Sequence, residues 1–167
     1  MDMTMPHVLI ENVPIHQLEV GAHAEMVRSL GLEDIQLFAA VSGDMNPAHL
    51  DREYAKDTPF QGVIAHGLWG GALISAVLGT KLPGPGTVYL DQSLHFSRPV
   101  RLGDTVTASV TCRAKNDETC RATFDCLVVN QRGETVIRGV AEVLVPENKV
   151  CRPRSPLPKV SLEALGL

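Results

Sequence analysis

An aspartate and a histidine five residues apart, Asp44 and His49, bracket an Asn-Pro in the stretch VSGDMNPAH (residues 41–49). A turn uses Gly43, Asn46 and Pro47, but it has no need of an acid and an imidazole. Gly43 lets a preceding helix stop, while Pro47 prevents an early restart and pushes Asn46 towards an extended conformation. The carboxylate and the imidazole can then face one space across a tight loop, hold a water and move its proton near neutral pH. A turn with Asp44 capping backbone amides and His49 on the surface would use the same residues, and short motifs recur by chance.

A second group adds weight to the first. The run AHGLWGGALIS (65–75) sets His66 and Gly67 at the start of an apolar helix. A helix start offers unpaired N–H groups and the positive end of a dipole, suited to a carbonyl oxygen that gains negative charge. Gly67 permits close approach there. Ser75, about two turns on, can hydrogen-bond a neighbouring acid or its own helix backbone.

The elements around these residues are legible. Alternation over 22–29 suggests a strand. Apolar positions at Ile35, Phe38, Ala39 and Val41 predict a helix, with Glu33 and Asp34 at its positive end and Gly43 at its C-terminal cap. Asp51 is placed to cap a further short turn. From His66 to Leu78 the run is apolar on almost every face, which predicts a buried helix, thin at Gly70, Gly71, Ala72 and Ala76 and ended by Pro83-Gly84-Pro85-Gly86. Thereafter the period changes to two. Residues 87–100, 104–114, 119–129 and 134–145 read as four strands whose short connections predict antiparallel neighbours. One buried helix beside such a sheet suggests a sheet curled around a helix. The end, from Pro146 on, carries four prolines and reads as an extended tail or linker, giving a domain over 1–145 and a tail over 146–167.

Composition bounds the function. The 167 residues suit one domain with one substantial core, and 44% hydrophobic with 20% charged residues is a globular composition. A net charge of −4 argues against an electrostatic grip on nucleic acid or anionic membrane. The N-terminus has neither a signal-peptide nor a transit-peptide pattern, and no apolar run reaches the ~20 residues of a membrane helix, so a cytoplasmic protein is expected. The four cysteines form no CxxC pair and read as reduced and packed near strands. Asp44, His49, Asp51 and His66 have the right types for a metal, but no compact ligand spacing such as HExxH is present. The run GLWGGA lacks the GxGxxG of a dinucleotide loop. Trp69 reads as core or pocket wall. Leu73, Val77 and Leu78 read as core that could also line an acyl pocket. Lys81, Arg98 and Arg101 could meet phosphates, although solvated surface charge explains them equally, and His95 is assigned no role.

The stretch FAAVSGDMNPAHLDREYA (38–55), and the segment from His66 to Val106 that follows it, resemble the MaoC-like dehydratases, the (R)-specific enoyl-CoA hydratase or hydratase 2 group. The resemblance spans roughly residues 15–145. It implies an α+β hot-dog fold, an antiparallel sheet wrapped around a long central buried helix, in a homodimer or higher homo-oligomer. It implies reversible hydration of a trans-2-enoyl-CoA to an (R)-3-hydroxyacyl-CoA, with Asp44 and His49 as the catalytic pair holding the water. Gly67 would supply the backbone N–H to the thioester carbonyl, and Ser75 would support the acid. His66, Leu73 and Leu78 are the expected substrate-binding residues. No metal or redox cofactor is expected, since CoA enters with the substrate. A dehydratase or thioesterase for another acyl-CoA, and a non-catalytic acyl-binding module, are the alternatives. The sequence also resembles the hydratase-like module found fused to phosphate acyltransferases.

Overall fold

The computed structural model describes residues 8–162. Its elements in chain order are β1 (Leu9–Glu11), a 3₁₀ turn (Ile15–Gln17), β2 (His23–Ser29), α1 (Leu32–Ser42), α2 (Pro47–Leu50) and α3 (Arg52–Lys56). There follow α4 (Gly67–Thr80), β3 (Val88–Phe96), β4 (Thr105–Asn116), β5 (Arg121–Asn130), β6 (Thr135–Leu144) and β7 (Cys151–Pro153). Five strands make one antiparallel sheet in the order β2-β4-β5-β6-β3, against which α4 lies, giving the hot-dog fold.

The sheet takes its shape from the two-residue period. Val106, Ala108, Val110 and Cys112 of β4 are buried, as are Ala122, Phe124, Cys126 and Val128 of β5. These rows lie side by side, with Val110 opposite Cys126 and Cys112 opposite Phe124. From α4, Trp69, Gly70, Ile74, Val77 and Leu78 are buried. Each large apolar side chain removed from water in this way contributes roughly 1.5–3 kcal/mol.

Two expectations change. The short link from β3 to β4 does not make them neighbours: β3 pairs with β6 at the far edge of the sheet. Residues 97–104 carry the chain from that edge back to the other side of β5, with Ile64 and Arg101 bridging on the way. The central helix is also less enclosed within one chain than its hydrophobicity predicts. Leu68 is 60% exposed, and Gly67, Ala72, Ser75 and Gly79 share its exposure.

The Pro-rich C-terminal stretch is fastened at its beginning. Residues Cys151–Pro153 pair with β1, and Arg154 N–H donates to Val8 O at 2.7 Å. Asn12, fully buried, clips the two segments together. Its backbone N–H donates to Val150 O (3.1 Å), its Nδ2 donates to Asn148 O (3.0 Å), and its Oδ1 accepts from Val150 N–H (2.7 Å).

Candidate active site

Helix α1 ends as its sequence requires. Gly43 caps it in the left-handed conformation at φ 75°, where a side chain would be strained, and its N–H donates to Ala39 O. A run of short side chain–backbone bonds then shapes the loop. Ser42 Oγ donates to Phe38 O (2.6 Å) and accepts from Asp44 N–H (3.2 Å). Asn46 N–H donates to Asp44 Oδ1 (3.1 Å), and Asn46 Oδ1 accepts from Ala48 N–H (3.0 Å). Asn46 is thereby the N-cap of α2, with Pro47 at the first turn where its missing N–H costs nothing. Asp51 caps α3 by accepting from Tyr54 N–H at 3.0 Å.

These turns separate the fates of Asp44 and His49. Asp44 is exposed, whereas His49 is 8% exposed, so the surface turn that could have explained both residues holds only for the acid's hydrogen bond. His49 Nδ1 lies 2.9 Å from Ile64 O. A carbonyl only accepts, so Nδ1 carries the hydrogen and, in the neutral ring, Nε2 is left as an acceptor. His66 stacks on His49 with ring centroids 3.9 Å apart, and on Phe38 at 5.0 Å. One ligand-type atom each from Asp44, His49 and His66 lies within 4.8 Å of the others. Both histidines commit one ring nitrogen to a backbone carbonyl, which leaves one nitrogen apiece for any further partner.

Beside this cluster is a cavity of about 330 Å³ lined by residues that include His49, His66, Gly67, Phe96, Arg98 and Ile137. The volume lies at the lower end of the range for small-molecule sites. Gly67 is the first residue of α4, so its N–H has no partner within the helix. A Cβ on Gly67 would sit 3.1 Å from the Phe96 ring, tighter than ordinary contact. At one wall Arg98 donates to Thr135 O (3.0 Å) and lies 3.7 Å from the Glu134 carboxylate. The Asn130 side-chain amide, then Arg132, hold that carboxylate below the usual range.

The structure thus brings together Asp44, His49, His66 and Gly67. It puts the other sequence-chosen residues elsewhere: Leu78 is buried in the core, Leu73 packs against that core, and Ser75 lies on the exposed side of α4. None of the three lines the cavity. Sequence reasoning gave no role to Phe60, Phe96 or Ile137, which do. Phe96 and Ile137 face each other across β3 and β6, a pairing that no local pattern announces. Trp69 is core, Lys81 donates to Glu25 O (2.7 Å), and Arg101 donates to Phe60 O.

The family profile of the MaoC-like domain matches residues 12–129. The chain belongs to the MaoC-like dehydratase family. It is 47% identical to an (R)-specific enoyl-CoA hydratase of Rhodospirillum rubrum over 131 residues, covering 77% of this chain and 89% of that protein. It is 43% identical to a 3-hydroxybutyryl-CoA dehydratase of Methylorubrum extorquens, covering 81% and 86%. Among solved structures, the unliganded R-hydratase PhaJ1 from Pseudomonas aeruginosa superposes with a TM-score of 0.89 at 46% identity, covering 93% of this chain and all of that one. MaoC-like kinship of this closeness makes the chain an enzyme of the hydro-lyase class. Among the described residues no helix is long and apolar enough to cross a membrane.

Proposed function

We propose that the protein is an (R)-specific enoyl-CoA hydratase, adding water reversibly to a trans-2-enoyl-CoA to give an (R)-3-hydroxyacyl-CoA. The observation that carries this reading is the convergence of Asp44 and His49 beside a cavity whose wall is the N–H-bearing start of α4. The enoyl thioester would enter with its carbonyl oxygen against Gly67 N–H. Negative charge grows on that oxygen as water attacks C3, and one preformed donor there contributes typically ~3 kcal/mol. His49 Nε2 accepts a hydrogen bond from the water and so holds it. Asp44 takes a water proton, and the same site returns a proton to C2, so that the sum is addition of H and OH across the double bond. The addition needs no electron transfer and no cofactor beyond the CoA carried in with the substrate.

The reading includes assembly into a homodimer. Strand β3 is a sheet edge with Val88, Tyr89 and Leu90 exposed, beside the exposed side of α4. Apolar edges of this kind need a cover, and a second copy of the same edge supplies one. Light scattering on the purified protein should give twice the chain mass.

The direct test is loss of the enoyl absorbance of crotonyl-CoA on addition of the protein, with chiral analysis of the product. The (R)-alcohol is expected. No hydration of any short or medium enoyl-CoA, or an (S)-product, would overturn the proposal.

A further inference from the structure

His66 is the residue at which the acid-bearing loop, the imidazole and the start of α4 meet, and catalysis as proposed above gives it no step. It is 3% exposed and serves as the N-cap of α4, directly before Gly67. Its Nε2 lies 3.1 Å from the backbone carbonyl oxygen of Asp44. Since that oxygen can only accept, Nε2 carries the hydrogen and donates it. Its Nδ1 is buried with no hydrogen-bond partner. The opposite arrangement holds in His49, where Nδ1 donates to Ile64 O. The two neighbouring imidazoles therefore donate from opposite ring nitrogens, each to a backbone carbonyl.

We infer that His66 is a positioning residue that fixes the distance between the Asp44 carboxylate and the Gly67 N–H, through its Nε2–H bond to Asp44 O. Asp44 sits exposed in a turn whose other side chain–backbone bonds, from Ser42 to Ala48, are local, none spanning more than four residues, and the longer bond from His49 to Ile64 O holds the imidazole and not the acid. The bond from His66 to Asp44 spans 22 residues and runs from the first residue before α4. It ties the group that activates water to the helix end that receives the carbonyl, and the His49 ring lies against the His66 ring that makes the tie. A buried side-chain donor with that single partner does more than fill space, because phenylalanine would fill the same space against Phe38 and His49. The assignment rests on the hydratase reading for its consequence, but the hydrogen bond stands independently of it.

Two variants separate the donor from the ring. His66→Phe keeps a stacked ring and removes the donor, while His66→Gln keeps a donor and removes the ring. For crotonyl-CoA hydration, kcat of His66→Phe should fall about a hundredfold, the scale of a 1 Å misplacement, with KM within about threefold. His66→Gln should recover most of that kcat. Near-wild-type kcat in His66→Phe, or equal loss in both variants, would overturn the inference. A second readout does not depend on turnover. Imidazole nitrogen NMR of the wild-type protein should show His66 with hydrogen on Nε2 and His49 with hydrogen on Nδ1. A His66 without hydrogen on Nε2 would overturn the inference even in an active enzyme. An inactive wild type showing the expected tautomers would sink the hydratase reading and keep the anchor.

Discussion

Strands β4 to β6 and the segment from Ser42 to His66 hold their side chains by different means. In the sheet, each buried residue is one of a row: Phe124 lies opposite Cys112 on one side and Ala141 on the other, all three inaccessible or nearly so. In the segment, the side chains of Ser42, Asp44, Asn46, His49 and His66 are each held by one or two hydrogen bonds, and Asp44 remains in contact with solvent. Burial spread over many neighbours gives stability. Single directed bonds give little stability but fix where a proton can go. Damage to the two regions should therefore show in different measurements.

The sharpest test of that separation is Asp44→Asn. Hydration should fall by about 10²–10⁴-fold, the usual worth of a positioned acid–base group, while the denaturation midpoint stays where it was, since the side chain is exposed. A large loss of stability would break the comparison. Phe124→Ala is its mirror. The unfolding free energy measured in urea should drop by about 3–5 kcal/mol, with kcat of the remaining folded enzyme little changed. Asn46→Ala lies between the two regions. It removes the N-cap of α2, worth about 1 kcal/mol, and loosens the turn that aims His49. About a tenfold loss of kcat should therefore accompany a small shift in urea midpoint. Cysteine labelling gives the smallest effect. Burial raises the Cys126 thiol to about 11, so at pH 8 it stays protonated as well as covered. Exposed Cys151 should react with a thiol reagent first, and Cys126 only on unfolding.

The same contrast explains how much could be read in the sequence. Period-two alternation is a local signal, and it located β4, β5 and β6 because each strand carries its own row of buried residues. The Gly43 cap and the turns around Asn46 and Asp51 are local too, and the structure forms all three. Strand order is not local. The placement of β3 beside β6 depends on the crossing at residues 97–104, whose length would equally allow pairing with β4. The cavity fails to announce itself for a related reason. Its walls at Phe60, Phe96 and Ile137 come from a loop and two strands that meet only in the folded chain. The catalytic candidates were legible because Asp44 and His49 stand out of place chemically in a turn. The expected acyl lining at Leu73 and Leu78 was drawn from residues that packing claims first.

The ribbon of β1 with β7 has a consequence for how the chain could be rewired. Val8 and Arg154 are joined by a hydrogen bond, so the start of β1 and the end of β7 lie side by side. A circularly permuted protein, with those ends spliced by a short flexible linker and new ends cut in the exposed turn at Gln131–Gly133, would retain every strand pairing and the whole loop from Ser42 to His66.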